Sequence, residues 1–253
     1  MANELEKELA GRAAAKLVRD GDIVGLGTGS TAYFAVVALG ERVKSGLKIV
    51  GIPTSEATAA LARSLGIPLI TLDEHPEIDI TIDGADEVDP QLRLIKGGGG
   101  AMLREKIIAS SSRKMVVIAD TSKVVRTLGK FPLPVEIIPF ARVVLEKKIS
   151  ALGAVTKLRA KSDGTPFITD EGHHILDCSF GKISDPPALA RTLNDLPGVV
   201  EHGLFIDLAK LVIVGRGTTV EEIRGKRPRP KRRQPKRPRK SSKPRHRQAK
   251  RRA

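Results

Sequence analysis

Aromatic side chains are scarce in this sequence: they make up 3% of 253 residues, with no tryptophan and a single tyrosine, Tyr33. A core built without them is aliphatic. There is one cysteine, Cys178, so no intrachain disulfide can form. It reads as a small buried hydrophobe of a reducing compartment. Histidines are few and scattered, and the neighbours His173 and His174 would point to opposite faces of a strand, so no metal site is visible. No apolar run approaches the roughly 18 residues that a membrane span needs. The charged start, Asn3-Glu4-Leu5-Glu6-Lys7, lacks the apolar segment of a signal peptide. Together these absences predict a cytoplasmic protein with no disulfide, no metal and no membrane partner.

Acidic residues are missing from one place only. Of the 44 Lys and Arg, 16 lie between Lys226 and Ala253, where there is no Asp or Glu. The rest of the chain carries 28 basic residues against 29 acidic ones, so the formal charge of +15 belongs to a tail. Pro228, Pro230, Pro235, Pro238 and Pro244 interrupt that tail, and it has no large apolar residue to bury. Like-charge repulsion predicts a disordered segment over 225–253. Such a segment can bind nucleic acid or another polyanion nonspecifically through phosphates, or serve only as a solubilising appendage.

What is present before the tail is strand–helix alternation, in a chain that is 40% hydrophobic. Leu5, Leu9, Ala13 and Leu17 stand four apart and predict an amphipathic helix over Glu4 to Arg19. Ile23–Leu26 reads as a buried strand, followed by a glycine turn and a helix to about Lys44. Strands are expected at Lys48–Ile52, Pro68–Thr71, Ile78–Ile82 and Lys114–Ala119. Helices are expected from Thr54-Ser55-Glu56 to Leu65 and from Met102 to Ser111. This order implies a Rossmann-like, mostly parallel sheet covered on both faces. After Phe131 the pattern becomes strand-helix-strand-strand-helix-strand, the split, ferredoxin-like unit of a smaller α+β domain. Phe205–Leu208 and Leu211–Val214 then return to the main sheet. The expected division is 1–130 with 203–224 for the larger domain and 131–202 for the smaller.

The chemistry concentrates in three stretches. Gly25-Leu26-Gly27-Thr28-Gly29-Ser30-Thr31 leads from a strand into a helix whose first N–H groups favour a phosphate. It is a poor dinucleotide fingerprint, because Ser30 stands where a third glycine belongs and the second strand ends without an acid. No Gly-Lys-Ser/Thr follows to make a Walker loop. Asp83-Gly84-Ala85-Asp86 follows a buried strand, at the edge where open α/β sheets bind ligands. Asp in a turn is also an ordinary turn former. Lys96 precedes Gly97-Gly98-Gly99-Gly100, a run suited to cradling an anion. Glu105 sits in the first turns of the next helix, where side chains lean back toward the N-terminus and so toward the glycines. Lys123, after a further strand, would face the same edge.

The segments Gly27–Thr31, Asp83–Asp86, Lys96–Gly99 and Arg104-Glu105-Lys106, with Gly129–Glu136 and Pro197–Val200, closely resemble the type A ribose-5-phosphate isomerase family. The resemblance spans about Glu4 to Arg224. Gly100, where alanine is often expected, and the basic tail depart from it. It implies interconversion of ribose 5-phosphate and ribulose 5-phosphate through an enediolate, without metal or organic cofactor, by a homodimer or tetramer. The implied catalytic set is Glu105 as the base, Asp83 and Asp86 for hydroxyl protons and Lys96 for the developing oxyanion. The implied substrate-binding set is Thr28, Gly29, Ser30, Thr31, Asp83, Gly84, Ala85, Asp86, Lys96, Gly97, Gly98, Gly99 and Lys123. The alternative from another class is a non-catalytic sugar-phosphate sensor that grips nucleic acid through its tail. Such a protein needs no general base.

Overall fold

The computed structural model describes residues 2–225. The helix α1 (Ala2–Ala15), strand β1 (Ile23–Leu26), α2 (Ser30–Lys44), β2 (Val50–Pro53) and α3 (Glu56–Ser64) open the chain. There follow β3 (Ile80–Gly84), the short strands β4 (Glu87–Val88) and β5 (Leu94–Ile95), α4 (Met102–Ser110) and β6 (Met115–Asp120). Next come β7 (Leu133–Ile137), α5 (Arg142–Ala151), β8 (Val155–Leu158), β9 (His174–Ser179), α6 (Pro186–Asn194) and β10 (Val199–His202). The last strands are β11 (Leu204–Phe205), β12 (Ala209–Arg216) and β13 (Thr219–Arg224).

Six strands form the main sheet in the order β13-β12-β6-β3-β1-β2. All neighbours in it are parallel except β12 and β13. Strands covered on both faces need continuous apolar runs, and β6, Met115-Val116-Val117-Ile118-Ala119-Asp120, is buried along its whole length. From β1 the chain steps to β2 on one side and returns as β3 on the other. That reversal opens a crevice at the carboxyl ends of β1 and β3, where such sheets take ligands.

The expected split unit is present. β7, β8, β9 and β10 form an antiparallel sheet in the order β10-β7-β9-β8, with α5 and α6 as its crossovers. Its own core gathers Leu133, Val135, Ile137, Leu145, Leu176 and the buried Cys178.

Several expectations need correction. The α1 helix ends at Ala15, and it docks through Ala10, Ala14 and the following Val18 while Leu5 is 44% exposed. Small side chains let α1 lie close on its neighbours, and the stripe borders the buried face, with Ala13 and Leu17 partly buried against the core. Leu204–Phe205 does not return to the main sheet; it joins β5 and β4 in a three-stranded sheet, and only β12 returns. Pro68–Thr71 makes a single bridge, between Leu69 and Gly51, because a run begun by proline lies beside an edge strand. The unforeseen β13 is mostly exposed. Its charged residues, Glu221, Glu222 and Arg224, suit a sheet edge and carry no apolar signal. The tail expected over 225–253 lies, apart from Gly225, outside the described residues.

Candidate active site

Four strand ends converge on the crevice: β1 runs into Gly27–Ser30, β2 into Thr54-Ser55, β3 into Asp83–Asp86 and β6 into Asp120–Lys123. Asp83 belongs to β3 itself rather than to a turn, because the strand continues two residues past Ile82. It is fully buried. Its Oδ1 accepts from Gly84 N at 2.7 Å and Thr28 N at 3.2 Å, which joins the two central loops. Gly27 must lack a side chain, since a Cβ there would stand 2.3 Å from that oxygen.

The small three-stranded sheet brings Asp86 and Lys96 together. Glu87 of β4 pairs with Ile95 of β5, so the residues flanking that pair stand side by side. Asp86 N donates to Ile95 O at 2.8 Å, and Lys96 N to Gly203 O at 2.9 Å. Asp86 Oδ2 in turn accepts from Gly98 N at 2.7 Å. A Cβ on Gly98 would lie 2.5 Å from the other Asp86 oxygen, so the glycine run is shaped to this carboxylate.

At the floor of the cleft Lys96 Nζ donates to Gly84 O at 2.7 Å. The same nitrogen stands 2.9 Å from Asp83 Oδ2 and 3.2 Å from Glu105 Oε2. Neither of those two oxygens has an aligned hydrogen bond, so the attraction is chiefly Coulombic. Glu105 reaches Lys96 from the first turn of α4, leaning toward the glycines as expected. Burial pushes the Glu105 carboxyl up to about 8, the Asp83 charge adds to this and Lys96 opposes it. Burial also raises Asp83, against the pull of Lys96. For Lys96, burial disfavours the charge, but Asp83 and Glu105 outweigh it and hold the ammonium protonated. Burial around a single cation therefore disfavours full ionisation of both carboxyls.

The other end of the cleft presents donors. Gly29 caps α2 without a side-chain hydrogen bond, which leaves the first amides of a 15-residue helix unclaimed by a cap. The Thr28 hydroxyl is turned into a cluster with Thr54 at 2.6 Å, Ser55 at 2.8 Å and Thr58 at 3.1 Å. It braces the turn. Sequence reading missed Lys7, whose Nζ donates to Ser30 Oγ at 3.0 Å. Nothing in its spacing marks it; α1 has to fold beside α2 before the contact exists. Lys123 sits in a single 3-10 turn after β6 and borders the same cleft.

The cleft measures about 80 Å³, and every residue expected at the site lines it except Asp83, which lies beneath. A larger groove of about 790 Å³ opens beside the Thr28–Ser30 turn, against Tyr33, Phe34 and Leu61. Its charged residues are Glu4 and Lys7 alone, so the acid–base groups belong to the smaller space. Among the described residues no three of His, Cys, Asp and Glu are grouped to hold a metal, and no helix is long and apolar enough to cross a membrane.

Fold and cleft together define an α/β enzyme that moves protons on a small anionic substrate. A family model described as ribose 5-phosphate isomerase A (phosphoriboisomerase A) matches residues 50–219. The chain is 56% identical over 225 residues to ribose-5-phosphate isomerase A of Parvibaculum lavamentivorans, covering 86% of this chain and 97% of that one. It is 59% identical over 210 residues to that of Agrobacterium fabrum, covering 81% and 91%. Among solved structures, ribose 5-phosphate isomerase A of Methanocaldococcus jannaschii matches with a TM-score of 0.83 at 43% identity, over 86% of this chain and 97% of that one. A D-ribose-5-phosphate isomerase in complex with phospho-erythronic acid gives 0.86 at 41% identity, over 88% and 100%. The chain belongs to the ribose 5-phosphate isomerase A family.

Proposed function

We propose that the cleft between Thr28 and Glu105 is where this chain interconverts D-ribose 5-phosphate and D-ribulose 5-phosphate. An aldose–ketose isomerase opens the sugar ring, takes a proton from C2, returns it to C1 and stabilises the enediolate between the two steps. Glu105 is the base that carries the proton. Lys96 stabilises the developing oxyanion, and Asp83 and Asp86 handle hydroxyl protons during ring opening. The phosphate is held by the α2 amides at Ser30 and Thr31, with Lys7 and Lys123. Gly84, Ala85 and the Gly97–Gly99 backbone take the sugar hydroxyls. The chemistry is carried by 1–130 and 203–224, with 131–202 packed alongside.

The observation that carries this reading is the buried triad of Lys96 with Asp83 and Glu105, a charge arrangement that a binding protein has no use for. Phospho-erythronic acid, found in the complex of a similar isomerase, is a phosphorylated acid. Its terminal carboxylate resembles an enediolate more than it resembles an aldehyde. The sensor alternative finds no support among relatives named as isomerases. The finer reading adds a cytoplasmic homo-oligomer and a tail that holds polyanions. A coupled assay for ribulose 5-phosphate formed from ribose 5-phosphate tests the activity; no product above a buffer control overturns it.

A further inference from the structure

Two peptide planes of the glycine run are gripped from the smaller sheet. Arg159, the residue after β8, donates from Nη1 to Gly97 O at 2.8 Å and Gly98 O at 3.2 Å. Asp177 of β9 fixes the same guanidinium, accepting from Nε at 3.0 Å on one oxygen and from Nη2 on the other. This forked pairing leaves the Arg159 side chain 13% exposed. The Phe167 ring lies 5.9 Å from its Cζ. The backbone is pinned as well, since Arg159 N donates to Ile175 O at 2.8 Å and Phe167 N to Arg159 O at 2.9 Å.

A trans peptide points its carbonyl and the next N–H in opposite directions, and the described residues hold no cis bond. With the Gly97 carbonyl on Arg159, the Gly98 N–H is turned away and meets Asp86 Oδ2 at 2.7 Å. With the Gly98 carbonyl on the same guanidinium, the Gly99 N–H is turned away too, in a residue that lines the cleft. Consecutive glycines have little torsional preference of their own; Gly100 N also donates to Gly97 O at 3.0 Å, but the Gly98 carbonyl is held by Arg159.

We propose that Arg159 is a positioning residue of the site. By holding the Gly97 and Gly98 carbonyls it aims one N–H at Asp86 and offers the next to the oxygens of the sugar. The inference rests on the isomerase reading above. Arg159 serves the sugar end of the substrate, because the phosphate end is built from α2, Lys7 and Lys123, none of which it touches.

The test uses full-length Arg159→Met, Arg159→Lys and Asp177→Asn. Each is measured for kcat, KM, thermal midpoint and inhibition by phospho-erythronic acid and by inorganic phosphate. Arg159→Met should lose roughly 10- to 100-fold in kcat/KM, a loss of the size seen when a group that orients a metal's ligand is removed. Its affinity for phospho-erythronic acid should fall comparably, while inhibition by inorganic phosphate stays within about two-fold. Arg159→Lys, which can still donate to one carbonyl, should recover part of the loss. A folded Arg159→Met with wild-type kcat/KM, or one that loses both inhibitors equally, overturns the inference. Should Arg159→Met fail to fold, Asp177→Asn decides: a milder split of the same sign supports the role and no split overturns it. An unmodified chain without isomerase activity would instead sink the functional reading, and the inhibitor split, read by calorimetry, would still decide Arg159.

Discussion

Asp83 Oδ2 and Lys96 Nζ stand 2.9 Å apart, and neither side chain exposes more than 2% of its surface. Glu105 approaches the same ammonium at 3.2 Å, so one cation faces two carboxyls in a space too dry for both to ionise easily. The base of a proton transfer must start unprotonated. Activity is therefore expected to climb with pH through the value near which Glu105 is held, about 8.

Asp83→Asn should move that inflection down, because it removes a like charge and leaves Lys96 to favour the ionised Glu105. It should also depress turnover, since an amide cannot take up a proton. The check is a kcat/KM profile from about pH 6 to about pH 9 for both proteins. A flat wild-type profile, or an inflection that rises in Asp83→Asn, contradicts the charge arrangement.

Glu6 is another buried acid, with the opposite shift. It accepts from Gly217 N at 2.8 Å and from Thr121 N and Oγ1 at 3.0 and 2.7 Å, and these bonds, Gly217 first, hold its carboxyl below the usual range. A depressed folded value contributes stability above the unfolded carboxylate range, near about 4.3, that is lost as pH falls through the folded value. Glu6→Gln should thus unfold several degrees lower at neutral pH and lose less than the wild type on acidification. Thermal midpoints at neutral and acid pH read both effects. Equal midpoints at neutral pH would remove Glu6 from this role.

The tail is expected to be separable from the chemistry. Its 16 positive charges follow Arg224 in the sequence, after the last described residue that lines the cleft, Lys123. Truncation after Arg224 should leave kcat and KM within about two-fold. Full-length protein should bind a heparin matrix with an affinity that falls steeply with salt, and the nearly neutral truncated form should pass through. Loss of isomerisation on truncation, or equal retention of both forms, contradicts this.

Much of the site was legible because its parts are local. A buried strand running into Asp83-Gly84-Ala85-Asp86, and a helix that leans Glu105 back over four glycines, carry their geometry in short spacings. The partners of the Thr28 hydroxyl were not legible: Thr54, Ser55 and Thr58 join it only when β2 lies beside β1. Lys7 and Arg159 were invisible, since each reaches the site from an element distant in sequence. The pairing of β4, β5 and β11 was equally hidden, because two-residue strands have no period to read. That small sheet is what sets Asp86 beside Lys96.

The most direct test of the central claim is the turnover of Glu105→Gln alongside its affinity for phospho-erythronic acid. Loss of the base should cut kcat by roughly two to four orders of magnitude. Fold and inhibitor binding should be largely kept, since the amide preserves shape and leaves the phosphate end untouched. A Glu105→Gln enzyme that turns over within a few-fold of wild type would contradict the assignment of Glu105 as the proton carrier.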